Sequence, residues 1–163
     1  PNECRHGSGG RMQVENNDVN VEFSVRVPAG INVIAATVNG GIEGENLPAA
    51  VTARTVNGSV TLGSSGVVRA TTVNGSIDVS MARADWSGEL KLESVNGSVT
   101  ARMPANLSAE VSAATVTGDL NTDFPLTVSG RFGGRRINGT VGSGGRSLDL
   151  KTVNGSVSLL RRQ

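Results

Sequence analysis

From about residue 35 onward, apolar and polar residues alternate in short runs broken by glycine-rich turns. Leu90, Leu92 and Ser94 alternate with Lys91 and Glu93, and after Asn96-Gly97 the residues Val99, Ala101 and Met103 alternate with Thr100 and Arg102. Leu148, Leu150 and Thr152, then Val157 and Leu159, follow the same pattern. A period of two, with many β-branched residues, predicts strands that bury one face. The phase shifts at each Val-Asn-Gly, so the chain turns there, and both Asn and Gly tolerate the positive φ a tight turn requires. A second turn of variable sequence separates successive units, for example Gly63-Ser64-Ser65-Gly66, Asp85-Trp86-Ser87-Gly88, Pro104-Ala105-Asn106 and Gly142-Ser143-Gly144-Gly145. Helical periodicity is absent throughout, and the expected class is all-β.

One hexapeptide carries the pattern. Thr55 to Val60, Thr72 to Ile77 and Thr152 to Val157 read Thr-Val-Asn-Gly-Ser-Val/Ile, and Ser94 to Val99 differs only at its first residue. Thr37 to Ile42 (TVNGGI), Thr115 to Leu120 (TVTGDL) and Arg136 to Val141 (RINGTV) are looser copies. The Asn, or Thr in the fifth copy, falls at 39, 57, 74, 96, 117, 138 and 154. A spacing near 20 residues over most of the chain signals one supersecondary unit used repeatedly.

Two architectures fit. In an up-and-down antiparallel β-meander or barrel, each Asn-Gly closes a hairpin, and Leu150 would face Leu159. In a single-stranded β-helix, or β-solenoid, of about seven coils, equivalent residues stack on the next coil. Three features favour the solenoid. The Thr, Val and Ser around Asn-Gly recur, which a hairpin does not require but stacking does, with Val on Val and Asn amides in a ladder. The inward residues are mostly small. The variable turn changes length without disturbing the repeat, as expected of loops on one edge. Such a ladder should break at Thr117, and Val56 and Val95 are expected inside the stack. Seven coils spaced about 4.8 Å apart would make a rod of roughly 30 Å.

The expected organisation is a flexible tail over 1–10 and one domain over 11–163, with an N-terminal cap at 11–34 and repeats over 35–163. The rod's open ends invite strand pairing, so a homo-oligomer through end coils is one expectation. Arg161-Arg162 is expected to discourage pairing at the far end.

Composition narrows the function. Gly is 22 of 163 residues, and Phe 3, Trp 1 and Tyr 0 leave few aromatics. Fifteen basic against fourteen acidic residues give a net charge of +1, with no strong pull on nucleic acid. No apolar run approaches the roughly 20 residues of a membrane-spanning helix. Cys4 and His6 provide half a metal site at best and read as part of a polar leader. The chain begins at Pro1 rather than Met, read as a cut or engineered terminus, so a missing signal peptide says nothing about location. Asn16-Asn17-Asp18 lacks the spacing of a calcium loop. Nucleophile and phosphate-loop motifs are absent. If the repeats stack, Thr61, Asp78, Thr100 and Ser158 share one position, and they form no carboxylate row of the kind a polysaccharide lyase or hydrolase needs. Asn57, Asn74, Asn96, Asn106, Asn138 and Asn154 each begin an Asn-x-Ser/Thr triplet, the pattern of a glycosylation acceptor; all but Asn106 are the repeated turn, which is the favoured reading. The expectation is therefore no enzyme, no cofactor and no metal.

Candidate ligand-binding residues are few. Arg131, Arg135 and Arg136 cluster with Phe132, and guanidinium groups stack on rings and fork onto carboxylates, so this is either a patch for an acidic glycan or protein, or a charged edge that prevents aggregation. Trp86, in the longest insertion, stacks on a sugar if exposed and covers the coil edge if buried.

The seven copies, with the lead-in Val25-Arg26-Val27-Pro28-Ala29-Gly30 and the closing Leu148 to Val157, resemble the bacterial putative-adhesin family, a domain of unknown function built from Val-x-Gly-[Ser/Asp]-[Val/Ile] units. The resemblance covers about residues 19–160. It implies a right-handed β-helix-like fold in an extracytoplasmic or cell-envelope setting, and supplies no catalytic residues. The function expected is a non-enzymatic interaction or scaffold module with a protein or glycan partner. A carbohydrate-binding or carbohydrate-active β-helix using Asp78 and Asp119, and a self-assembling structural protein, are the alternatives.

Overall fold

The computed structural model describes residues 21–128 and 136–163. The tail, Cys4, His6 and the Asn16-Asn17-Asp18 cluster lie outside the described residues. Of the segment read as a cap, residues 21–32 carry no strand, and Phe23 is 85 % exposed.

The alternating runs form parallel strands wound into coils. Coil one is β1 (Val33–Ala36) with β2 (Ile42–Leu47). Coils two, three and four are β3 (Val51–Arg54) with β4 (Val60–Ser64), β5 (Val68–Asn74) with β6 (Ile77–Met81), and β7 (Glu89–Asn96) with β8 (Val99–Met103). The first strand of each coil lies parallel to its counterpart in one sheet, and the second strand does so in another. Adjacent rungs therefore run in the same direction, and the hairpin meander is excluded.

After coil four the stacking order departs from the chain order. The next segments in sequence are β9 (Ala109–Ala114), β10 (Leu120–Thr122), β11 (Thr127–Val128), β12 (Arg136–Val141), β13 (Ser147–Lys151) and β14 (Val157–Arg161). The last coil, β13–β14, inserts between coil four and β9–β10. Leu148 pairs with Leu90 on one side and Val111 on the other, and Val157 lies between Val99 and Leu120. Six of the seven hexapeptides thus turn coils. The sixth, Arg136 to Val141, is a straight strand antiparallel to β9. Arg136 stands where the other copies place a Thr or Ser, and so cannot supply the buried hydroxyl described below. Arg161-Arg162 does not mark an end of the rod, because β14 lies between β8 and β10 inside its sheet. Among the described residues, nothing pairs with the outer edges of β1 and β2.

Each hexapeptide position has its own task in stacking. The first residue points inward, and its hydroxyl donates to the Gly carbonyl of the neighbouring coil: Thr55 to Gly40, Thr72 to Gly58, Ser94 to Gly75, Thr152 to Gly97 and Thr115 to Gly155, at 2.7–3.0 Å. The Asn side chains form a one-directional ladder in which Asn57 Nδ2 donates to Asn39 Oδ1, Asn74 to Asn57, Asn96 to Asn74 and Asn154 to Asn96, at 2.7–2.8 Å. The Gly lets backbones approach closely: a Cβ on Gly97 would lie 2.1 Å from the Gly75 carbonyl oxygen. The Ser hydroxyl accepts the N–H of the equivalent residue in the next coil, as Ser76 does from Ser98. The final Val or Ile fills the core, where Val60, Ile77, Val99 and Val157 are at most 1 % exposed.

The ladder also rationalises the insertion. An Asn amide donates and accepts at the reach that the ladder repeats, whereas a Thr hydroxyl, which can also do both, is shorter and does not reproduce that reach, which suits it to an end position. Stacked in chain order, Thr117 would follow Asn96 and interrupt the row. With the last coil inserted, Asn154 follows Asn96, and Thr117 closes the ladder by donating to Asn154 Oδ1 at 2.7 Å. The expected break at Thr117 is a terminus instead. Charge acts in the same direction. Lys91 and Glu93 on β7 lie opposite Asp149 and Lys151 on β13, a checkerboard of opposite charges, while β9 offers Ser112 and Ala114 at the matching positions.

Candidate interaction surface

The edge where every coil turns at Val-Asn-Gly presents a row of side chains at strand spacing. Strict alternation along β7 puts Leu90, Leu92 and Ser94 inside, so Val95 points out. The same holds in each coil: Val38, Val56, Val73, Val95, Val153 and Val116 are 38–62 % exposed. The expectation that Val56 and Val95 lie in the stack is overturned; the buried valine of each repeat is the one after Ser. Stacking about 4.8 Å apart, these valines make a continuous apolar stripe beside the amide ladder.

Next to the stripe, on the outer face of the larger sheet, Arg54, Thr71, Glu93, Lys151, Ala114 and Arg136 share one row across the strands. A groove of about 540 Å³ runs between this row and the valines, floored by Val95, Val153 and Val116 and rimmed by Glu93, Lys151 and Arg136. Its charges are partly committed. Lys91 Nζ lies 3.0 Å from Glu93 Oε1, and Lys151 Nζ lies 2.6 Å from Asp149 Oδ2. The hydrogen bond and the charge of Glu93, with a smaller contribution from Asp149, hold the Lys91 ammonium above its usual range. Arg136 is exposed and has no ion-pair partner among the described residues.

Of the sequence-derived candidates, Arg136 reaches this groove, and Arg131, Phe132 and Arg135 lie outside the described residues. Trp86 is 4 % exposed and belongs to the core cluster, so it covers the coil edge and offers no sugar-stacking face. The acids stay dispersed. Glu43, Thr61, Asp78, Thr100, Ser158 and Asn121 share one row on the smaller sheet, with its two carboxylates separated by Thr61. Asp78 is ion-paired with Arg102. No group of His, Cys, Asp and Glu able to hold a metal occurs among the described residues. No helix there is long and apolar enough to cross a membrane.

The opposite edge, built from the variable turns, holds a second cleft of about 400 Å³ lined by Arg83, Asp85, Asn106 and Arg146 over Ala82 and Ala84. Sequence reasoning missed it. Its residues come from three turns that become neighbours only through the insertion of the last coil.

The match to known proteins agrees with this geometry. The family model described as Toastrack DUF4097 matches residues 7–160. The chain belongs to the Toastrack DUF4097 family, a domain of unknown function. Its fold is similar to that of a solved structure, a putative cell adhesion protein from Clostridium sporogenes, with a TM-score of 0.56 and 10 % identity over 80 % of this chain and 91 % of that one. At that identity the likeness concerns the Toastrack fold alone. No curated protein matches.

Proposed function

We propose that this Toastrack domain is a non-enzymatic, adhesin-like interaction module of the bacterial cell envelope. The observation that carries the reading is the exposed valine stripe with its adjoining groove. A continuous apolar strip on a rigid surface marks an interaction site more often than scattered apolar residues do. A stacked parallel sheet holds that strip with little freedom to lose on binding. The name of the Clostridium sporogenes neighbour and the family match support the same reading, as does the dispersal of the acids.

The test is retention of protein-coated beads, under flow, on immobilised envelope glycans and cell-surface proteins. Wild type should be retained on at least one surface, and the outward double variant Val95→Lys, Val153→Lys should lose about tenfold or more in affinity while unfolding normally. Equal retention of both proteins, or of neither, sinks the reading. Release of reducing ends from a glycan, abolished by Asp78→Ala, would replace it with a carbohydrate-active enzyme.

A further inference from the structure

The cleft at the variable-turn edge stands apart from the valine stripe and does not depend on the adhesin-like reading. Its walls are the turn before β7, the turn before β9 and the turn before β13, and the last is brought between the other two by the inserted coil. Each wall is fixed. Trp86 and Leu107, both 4 % exposed, anchor the first two turns in the core. Leu107 N–H donates to the Pro104 carbonyl at 3.1 Å, closing the turn that carries Asn106. Ser108 Oγ accepts from Ser143 N–H at 3.1 Å and donates to the Gly144 carbonyl at 3.0 Å, while Glu110 N–H donates to the Arg146 carbonyl at 2.6 Å. Arg146 is thereby tied through its carbonyl, and through the turn before it, to the start of β9.

Its side chain is not satisfied in return. The Arg146 Nε is a buried donor with no acceptor. Such a group costs roughly 1–3 kcal/mol, and a native structure that retains one needs a reason. Asp85 does not fill the role, because Arg83 takes it through Nε and Nη2 at 2.6–3.1 Å. Two guanidinium groups against one carboxylate leave the cleft with surplus positive charge and one guanidinium N–H without an acceptor, a combination that suits a second carboxylate. The remaining lining residue, Asn106, adds an amide that can donate and accept, which suits hydroxyl groups. A volume of about 400 Å³ lies within the roughly 300–1,000 Å³ of small-ligand sites.

We propose that the cleft of Arg83, Asp85, Asn106 and Arg146 binds a carboxylate-bearing sugar, with Arg146 on the carboxylate and Asn106 on the ring hydroxyls. Arg83 and Asp85 form the wall. The test is a titration of the isotope-labelled whole chain with sodium glucuronate, followed by NMR, alongside glucose, N-acetylaspartate and inorganic phosphate. Glucuronate should shift the Arg146 Nε–H and the Asn106 side-chain amide, saturate, and bind about tenfold or more tightly than each of the other three. Arg146→Gln should weaken glucuronate about tenfold while the melting temperature stays at or above that of wild type, because a buried donor without an acceptor is removed. Asn106→Ala, on an exposed turn, should weaken it without any risk to folding. Glucuronate binding that is absent, or no tighter than glucose, overturns the proposal. Equal binding of phosphate or N-acetylaspartate means an adventitious anion only and overturns the sugar. Unchanged affinity in both variants places the ligand elsewhere and overturns the site.

Discussion

Replacing Gly97 with Ala tests the stacking geometry at its tightest point. The new Cβ would lie 2.1 Å from the Gly75 carbonyl oxygen and 2.5 Å from its carbonyl carbon, where ordinary contact begins at 3.4 Å. Both obstacles are backbone, so no side chain can swing away. Relief requires coils three and four to part locally by ~1.3 Å, and close-packed interiors resist this. That displacement stretches Gly75 N–H to Asn96 O, Ile77 N–H to Ser98 O, Ser94 Oγ to Gly75 O and Asn96 Nδ2 to Asn74 Oδ1, now 2.8–2.9 Å, beyond hydrogen-bonding range. At about 0.5–1.5 kcal/mol net for each bond, the loss is on the order of 2–6 kcal/mol. The φ of +152° is a further strain for alanine, of about 1–3 kcal/mol. Two other glycines separate these causes. Gly58→Ala meets the Gly40 oxygen at 2.0 Å without a positive φ, and its neighbour is the end coil, which can yield; it should cost about 1–3 kcal/mol. Gly63→Ala meets nothing closer than 3.7 Å and should lie within about 1 kcal/mol of wild type, on the stabilising side. Urea unfolding followed by circular dichroism gives the three values. If Gly97→Ala and Gly63→Ala differ by less than about 0.5 kcal/mol, the coils do not stack as described.

Val95→Asp should change stability by less than about 1 kcal/mol, whereas Val99→Asp, on a residue 0 % exposed, should cost more than about 4 kcal/mol or prevent folding, as read by thermal melts. Thr152→Val keeps the shape but removes the buried hydroxyl that donates to the Gly97 carbonyl at 2.8 Å; a loss of about 1–2 kcal/mol is expected, and Thr152→Ser should restore part of it. Deleting residues 147–163 removes an inner coil, so circular dichroism and limited proteolysis should show global loss of structure rather than a shortened rod. The hydrogen bonds from Arg83 depress the Asp85 carboxyl, followed by a smaller effect of its charge. The pair's contribution is therefore present at neutral pH and is lost as the pH falls through the folded-state value. The melting temperatures of wild type and Asp85→Asn should converge on acidification, and the gap should also narrow at high salt.

Much of this fold was legible because the repeat is a record of stacking. Thr, Asn, Gly and Ser recur since each bonds to, or lies against, its own counterpart one coil away, and a hairpin would have required only Asn-Gly. The outward valines are legible too: alternation through Leu90, Leu92 and Ser94 places Val95 outside, and phase decides its side where hydrophobicity alone points inward. The stacking order was harder to read. Parallel coils with one common motif can neighbour any other coil, and spacing along the chain does not record which. The usable signals were small and local: a Thr where an Asn ladder must end, an Arg where a buried hydroxyl is needed, and charges on β7 that match those on β13. The cleft of Arg83, Asn106 and Arg146 was hidden for the same reason, since its turns are separated by up to 63 positions in sequence.

Insertion of the last coil changes what kind of solenoid this is. In a sequential stack each repeat contacts only the repeats before and after it, stability is a sum of neighbour terms, and end coils can fray singly. Here β13–β14 fills the space between β7–β8 and β9–β10, so the coil made last completes the two made earlier. Until it docks, Leu90 and Leu92 on one side and Val111 and Ala113 on the other lack the Leu148 and Leu150 that cover them. Coil four, β9–β10 and β13–β14 must therefore form together, with long-range contacts that slow folding but tie the C-terminus into the interior. The outer edges inherit that rigidity. The valine stripe runs unbroken across the inserted coil, and the opposite cleft exists only once Arg146 is seated between the turns of coils that precede it in sequence. Both candidate surfaces are thus products of the same topological step, and a chain that fails to seat its last coil should lose both at once.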